Sequence, residues 1–117
     1  MELSQIINSL VSEIKLTEIQ SKIFLHIVIN GKMNASKLSS DLNITLDEAT
    51  LNSKKLVDLG GFIDMPNDEF ETMHPRFTAV NMYRRMCERE QITFKKNLKV
   101  DNIGVVLERS YDAARTK

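Results

Sequence analysis

The stretch from Asn34 to Ile63 constrains the fold more than any other part of the chain. Its sequence, NASKLSSDLNITLDEATLNSKKLVDLGGFI, predicts a short helix, a tight turn, a longer helix and a glycine stop before a strand. Asn34 is a favourable N-cap for the first helix, and Thr45 followed three residues later by Glu48 forms a capping box for the second. Gly60 can adopt the left-handed conformation that ends a helix. Two helices joined by so short a turn have the helix-turn-helix layout.

Helical and strand patterns continue on both sides of this stretch. Apolar residues recur every three or four positions before and after it, as on one face of an amphipathic helix. Short segments on either side of Pro66-Asn67-Asp68 predict a hairpin. The predicted helices are 3–14, 17–30, 35–42, 46–59 and 75–90, and the predicted strands are 62–65 and 69–73. This order makes a winged helix-turn-helix domain, so the predicted fold class is mainly α with a small β-hairpin and flanking helices.

Two of these helices have clear boundary signals. Thr17 is a suitable N-cap and Gly31 a suitable stop for the helix at 17–30. Pro75 suits the first position of the helix that runs to about Glu90. The residues expected on the buried side of this last helix are Phe77, Val80, Tyr83 and either Met86 or Cys87.

The segment 98–115 fits two kinds of structure. Ile103, Val105 and Leu107 alternate as in a strand, and Gly104 weakens a helix. Apolar residues also recur at helical spacing, with Asp101 placed to cap the helix, and we therefore expect a helix. The residues at helical spacing are Val100, Ile103, Leu107, Tyr111 and Ala114. We divide the chain into a winged helix-turn-helix domain at 1–91, which includes the N-terminal and trailing helices, and a basic segment at 92–117 that can serve dimerisation.

The composition argues against several classes of protein. No apolar run approaches the roughly 18 residues of a membrane span, so we expect no membrane partner. The single Cys87 excludes an internal disulfide, which fits a cytoplasmic protein. We interpret it as a buried apolar residue, with redox sensing as the alternative. His26 and His74 are too scattered to make a zinc site with it. No catalytic set can be picked out, so we expect neither an enzyme nor a metal or other cofactor.

Charge is distributed unevenly along the chain. Residues 1–74 contain 6 Lys and Arg against 11 Asp and Glu, a net charge of −5, whereas residues 75–117 contain 10 against 5, a net charge of +5. The second region has basic residues on a predicted helix and in the loop after it. They can form a surface that grips phosphates, or they can be a solvated helix face followed by a basic loop.

The chain resembles the archaeal TrmB-like group of winged-helix transcription regulators. LTEIQSKIFLHIVING at 16–31 is similar to the opening helix of that family, and the stretch at 34–63 is similar to its helix-turn-helix. The resemblance covers about residues 16–74, and a trailing helix follows in the usual place. It implies duplex DNA binding, with the second helix of the motif in the major groove and the hairpin on the backbone. Larger relatives carry a sugar-binding domain for which 117 residues leave no room, so we expect no carbohydrate effector.

The implied DNA-binding surface can be assigned to residues. We expect contacts from Thr45, Thr50, Lys54 and Lys55 in the helix-turn-helix, with Arg84, Arg85, Lys95 and Lys96 on flanking phosphates. The sequence departs from the usual pattern in its charge. If Ala49, Ser53 and Leu56 face the core, the outward face offers one base-reading cation among acidic and apolar residues. The members of this face are Asp47, Thr50, Leu51, Lys54 and Asp58. The hairpin is acidic as well, with Asp64, Asp68, Glu69 and Glu71.

This departure leaves a second hypothesis open. The acidic helix and hairpin, together with Leu46 and Leu51, could form the surface of an adaptor that binds a protein of the transcription machinery. Under either hypothesis, the apolar faces of 3–14 and 98–115 need to be covered. Packing across a two-fold axis in a homodimer is the expectation, and packing within one chain is the alternative.

Overall fold

The molecule is mainly helical with one small antiparallel sheet. The structure, a computed structural model, describes residues 2–116. Its helices are α1 (Leu3–Ser9), α2 (Glu18–Asn30), α3 (Ala35–Leu42), α4 (Leu46–Leu59), α5 (Pro75–Glu90) and α6 (Leu98–Arg115). A π-helical stretch, Leu10–Ile14, continues α1. The strands are β1 (Met33–Asn34), β2 (Ile63–Met65) and β3 (Glu69–Glu71). None of the described helices combines the length and the apolarity that are needed to cross a membrane.

The boundaries of α3 and α4 are those that the local chemistry predicts. Asn34 Oδ1 accepts the backbone N–H of Lys37 at 2.9 Å. Thr45 Oγ1 accepts the backbone N–H of Glu48 at 3.0 Å, and Glu48 Oε1 accepts that of Thr45 at 3.1 Å. Gly60 ends α4 at a φ of 89°, which only glycine adopts without strain. The capping box and the glycine stop are therefore confirmed.

The sheet contains one strand more than the sequence predicts. β3 lies in the centre, between β2 and β1, and both pairings are antiparallel. Met33 lies opposite Phe70, and Ile63 lies opposite Glu71. The hairpin is confirmed, although β3 ends at Glu71 and not at residue 73. β1 was not predicted because a strand of two residues has no period that a sequence pattern could reveal.

The core is built around α2 and receives side chains from the other helices and the sheet. Ile23, Phe24, Ile27 and Val28 of α2 are fully buried. The ring centroid of Phe62 lies 6.2 Å from that of Phe24 and 6.0 Å from that of Phe70. The predicted inward face of α4 is also confirmed, since Ala49, Ser53 and Leu56 are all buried. The core therefore fixes which face of α4 is left outside.

The buried side of α5 differs from the prediction in part. Phe77 is 52% exposed, and Val80 and Tyr83 are only half-buried. Met86 and Cys87 are buried as expected, together with Ala79 and Met82. Residues three positions apart are about 60° apart around the helix axis. Phe77, Val80 and Tyr83 therefore cannot share one narrow face. Ala79, Met82 and Met86 step by three and four and stay on one face, and Cys87 widens that face by one position.

Residues 98–115 form a helix, so the strand alternative is wrong. Asn97 is the N-cap and not Asp101, because Asn97 Oδ1 accepts the backbone N–H groups of Lys99 at 3.0 Å and Val100 at 3.2 Å. Gly104 lies against the start of α5, where a Cβ atom on it would be 2.6 Å from Arg76 Cα. The glycine that weakens α6 as an isolated helix thus allows α5 and α6 to pack closely.

The apolar faces of the two flanking segments are covered by the chain itself. Ile6, Leu10 and Ile14 are at most 1% exposed, and Val100, Ile103 and Leu107 at most 2%, all in the same hydrophobic cluster. The expectation that these faces need a second chain is therefore wrong for their buried residues. A second chain could cover only the apolar residues of these segments that stay exposed, such as Leu3 and Val105, or other surfaces.

Candidate functional site

The exposed face of α4 opens onto a groove that separates it from the hairpin. The groove has a volume of about 530 Å³, and the start of α3 closes its third side. Two of the predicted contact residues, Thr50 and Lys54, line it. Lys54 makes no ion pair with the described residues. The other lining residues are Asn34, Ala35, Ser36, Asp64, Met65, Asn67, Asp68 and Phe70.

The groove carries charge of both signs. Lys54 faces a hairpin whose Asp64 and Asp68 are exposed. Backbone N–H groups at the start of α3 add a partial positive charge, because the first turn of a helix has no acceptors of its own. The groove can therefore bind an anion beside Lys54, while its opposite wall repels one.

Thr45 and Lys55 lie on α4 but outside the groove. The Thr45 hydroxyl and backbone are both used in the capping box. Its first role is thus to hold the start of α4. The side chain of Lys55 is exposed one residue further around the helix from Lys54, so the two ammonium groups point in different directions.

Arg84 and Arg85 lie at the opposite end of α4 from Thr45. Arg85 Nη1 donates to the backbone carbonyl of Asp58 at 3.2 Å, and Asn81 Nδ2 donates to that of Gly60 at 3.2 Å. Arg84 Nη2 donates to Asn81 Oδ1 at 2.8 Å. The bonds from Arg85 and Asn81 satisfy backbone carbonyl groups at the end of α4, and the bond from Arg84 holds the Asn81 side chain. These guanidinium groups and Thr45 therefore lie at opposite ends of α4. A helix of 14 residues is about 21 Å long.

Lys95 and Lys96 lie in the loop between α5 and α6. They border a small cavity with Tyr83 and Phe94, whose ring centroids are 5.9 Å apart. Lys96 Nζ pairs with Asp101 at 3.0 Å. Tyr83 and Arg85 are about 200° apart around α5, so this loop and Arg85 occupy different sides of that helix, and Arg84 lies between them. The eight predicted residues therefore form separate groups, and the basic ones make no single continuous patch.

An ion-pair network that the sequence analysis missed centres on Arg115. Its Nη2 donates to Glu71 Oε1 at 2.5 Å and to the carbonyl of Ile27 at 3.0 Å, and its Nη1 donates to the carbonyl of Val28 at 2.9 Å. The guanidinium also lies over the Tyr111 ring, 3.8 Å from its centroid. Glu71 was predicted as part of an acidic hairpin, and here its charge is neutralised. No local pattern marks contacts between residues so far apart in the chain.

The fold also brings together His74, Glu108 and Asp112, whose ligand atoms all lie within 4.8 Å of one another. His74 Nδ1 accepts the backbone N–H of Arg76 at 3.2 Å, so the neutral ring carries its proton on Nε2, which faces Glu108 at 3.5 Å. Arg76 Nη2 pairs with the same carboxylate at 3.0 Å. A metal would need the Nε2 lone pair and would meet the guanidinium charge. The arrangement is an ion-pair cluster that joins α5 to α6.

Comparison with known proteins identifies no relative of the chain. No protein-family model, no curated protein and no solved structure that was searched matches the chain. The resemblance to TrmB-like regulators stays a prediction, and function has to be argued from the surfaces themselves.

Proposed function

We propose that the chain is a winged helix-turn-helix protein of the cytoplasm that binds duplex DNA as a homodimer and regulates transcription, without catalysing a reaction. The observation that carries this proposal is the position of α4. Its outward face is free, and the hairpin and the start of α3 stand on either side of the groove beside it. An α-helix fits the major groove of B-DNA, and flanking elements can then meet the backbone.

In this proposal, different residues make different kinds of contact with DNA. Thr50 and Lys54 reach into the groove from the exposed face of α4, where Lys54 supplies a cation for a phosphate or a base edge. Lys55, Arg84 and Arg85 offer further cations along α4 and at its end. Lys95 and Lys96, in the basic region 75–117, add affinity that does not depend on base sequence.

The first experiment measures fluorescence anisotropy of a random-sequence duplex across a salt series. Binding should weaken linearly on a logarithmic plot, because phosphate contacts release counterions. Lys54→Ala should lower affinity and reduce the slope by about 0.9. Arg109→Ala removes an exposed cation from α6, which does not border the groove, and should leave the slope nearly unchanged. Absence of binding at low salt, or equal effects of the two variants, would contradict the proposal.

A second candidate function is favoured by one specific observation. Leu46 is 51% exposed and Leu51 is 70% exposed on α4, beside acidic residues that a polyanion would not tolerate well. Exposed apolar side chains rimmed by polar ones are typical of protein interfaces. Under this hypothesis α4 binds a protein of the transcription machinery, and the chain acts as an adaptor.

The substitution Leu51→Lys would distinguish the DNA-binding hypothesis from the adaptor hypothesis. The variant should abolish binding to purified components of the transcription machinery if the adaptor hypothesis holds, and should leave or strengthen binding to DNA. Leu98→Lys is the matched control, because Leu98 is 73% exposed on another helix. Retained binding of the partner by the Leu51 variant would count against the adaptor.

A further inference from the structure

The outermost side of α4 is a row of residues that the rest of the chain leaves uncovered. Its members lie within about 60° of one another around the helix axis, opposite the buried side, and all of them are exposed. They are Asp47, Leu51, Lys54 and Asp58, and we refer to them as the α4 ridge. The three charged members make no ion pair with the described residues. The ridge is therefore free to contact another molecule.

Leu51 is the apolar member of the α4 ridge and is 70% exposed. Leu46, the other exposed leucine of α4, lies about 140° away around the helix axis, so the two side chains do not form one patch. A protein interface has a contiguous apolar centre, which one leucine among three charged residues does not supply. The molecule that covers Leu51 therefore has to offer a small apolar group with polar groups on either side of it.

The major groove of duplex DNA offers this combination of groups. The 5-methyl group of thymine is an apolar group on an edge that otherwise presents hydrogen-bond donors and acceptors. An ammonium group can donate to O6 and N7 of guanine, and a carboxylate can accept from the N4 amino group of cytosine. Leu51 lies about 6 Å along the helix axis from Asp47 and about 4.5 Å from Lys54. Because base pairs are about 3.4 Å apart, these three side chains can contact neighbouring base pairs.

We propose that Leu51 contacts the 5-methyl group of thymine in the major groove and thereby makes DNA binding by this chain sequence-selective. The inference rests on the proposed function and adds a specificity-determining residue to it. Phosphate contacts carry no such selectivity, because they do not distinguish one base pair from another. In this arrangement Asp47 faces base edges and not phosphates. Asp58 follows one turn after Lys54, away from the N-terminal part of a recognition helix that contacts bases.

The test begins with selection of bound sequences from a library of random duplexes, performed with the unmodified chain and with Leu51→Ala. The unmodified chain should enrich thymine at a position where the variant enriches no base. That thymine is then replaced by uracil, which removes only the methyl group, and binding is measured by fluorescence anisotropy. Uracil should weaken binding of the unmodified chain about fourfold, the effect of one buried methyl group. It should leave binding of Leu51→Ala unchanged.

Leu51→Ala should keep the fold, which circular dichroism and thermal unfolding would check. The substituted side chain is largely exposed, and alanine has the highest helix propensity of all residues. Leu98→Ala is the matched control, because Leu98 is 73% exposed on α6, away from α4. The control should enrich the same thymine as the unmodified chain and lose about fourfold in affinity when uracil replaces it.

The contrary outcomes separate this inference from the proposed function. Salt-dependent binding without an enriched thymine, or the same enrichment by Leu51→Ala, would overturn the inference and leave the proposed function standing. An equal loss on uracil for the unmodified chain and Leu51→Ala would place the methyl contact on another side chain, which also overturns it. Absence of binding to any duplex at low salt would contradict the proposed function, and the inference with it.

Discussion

At the scale of single residues, Gly104 sets the distance between two helices. A Cβ atom at this position would lie 2.6 Å from Arg76 Cα and 3.0 Å from Arg76 N, both of which belong to the backbone of α5. Gly104→Ala should therefore destabilise the protein by about 1–3 kcal/mol through overpacking. This loss should exceed the gain of about 1 kcal/mol in helix propensity. Urea unfolding would measure the difference.

Gly61 provides the matched comparison. Its added Cβ atom would lie 2.7 Å from Met82 Sδ, which belongs to a flexible side chain that can turn away. Gly61→Ala should consequently cost less than Gly104→Ala. An equal loss for the two variants would mean that close approach of backbone is not what Gly104 provides.

At the scale of the helix, Thr45 has two roles that can be separated. Its hydroxyl caps α4, and the sequence also predicts that it contacts DNA. Thr45→Ala should lower stability by about 1 kcal/mol, because a backbone N–H in the first turn loses its acceptor. Thr45→Asp should keep the cap and the stability but weaken duplex binding through its charge. Thermal unfolding and anisotropy together would show this, and full DNA binding by the aspartate variant would remove Thr45 from the interface.

Elements whose boundaries are set by nearby residues could be predicted from the sequence. Asn34, Thr45 and Gly60 each act on residues within one helical turn, so their chemistry is visible locally. The buried face of α5 was partly missed because residues three apart drift around a helix by about 60° at each step, so the predicted row leaves the buried side. Asn97 was passed over as the cap of α6 because Asp101 has the same capping chemistry.

The candidate site was predictable in its residues more than in its geometry. The sequence identifies the exposed side of α4, including Thr50 and Lys54, because helical periodicity fixes it once Leu56 is placed in the core. It could not show that Arg85 holds the end of α4 or that Lys95 lies on another side of α5. Those relations depend on how helices distant in sequence pack together.

At the scale of the whole molecule, two carboxylates join elements through hydrogen bonds to their ionised form. Asn97 Nδ2 donates to Glu13 Oε1 at 3.0 Å, and this bond lowers the pKa of Glu13. His26 Nε2 lies 2.8 Å from Asp41 Oδ2, and this contact, followed by that of Lys37, lowers the pKa of Asp41. The first pair ties the π-helical stretch after α1 to the N-cap of α6, and the second ties α2 to α3.

These shifts predict how stability depends on pH. A carboxyl whose pKa is lower in the folded state stabilises that state above its unfolded pKa, here near the ordinary values of 4.5 for Glu13 and 3.8 for Asp41. The contribution is lost as the pH falls through the lower folded pKa. Glu13→Gln and Asp41→Asn should each make the melting temperature depend less steeply on pH below about 4.5.

Glu90→Gln is the control for this series. Glu90 is exposed, and it forms no ion pair with the described residues. Melting curves of this variant should follow those of the unmodified protein across the acidic range. A flatter pH dependence for Glu90→Gln than for the other two variants would contradict the assignment.

The Arg115 network has a consequence for the order of folding. Its bonds join Arg115 to Ile27 and Val28 across 88 and 87 positions and to Glu71 across 44, and contacts that close such long loops tend to form late. Arg115→Lys should therefore speed unfolding and leave the folding rate nearly unchanged, which stopped-flow kinetics would resolve. Slower folding would place this contact in the nucleus. On the expected result, the bond between Arg115 of α6 and Glu71 of β3 forms after the transition state of folding and breaks before the transition state of unfolding.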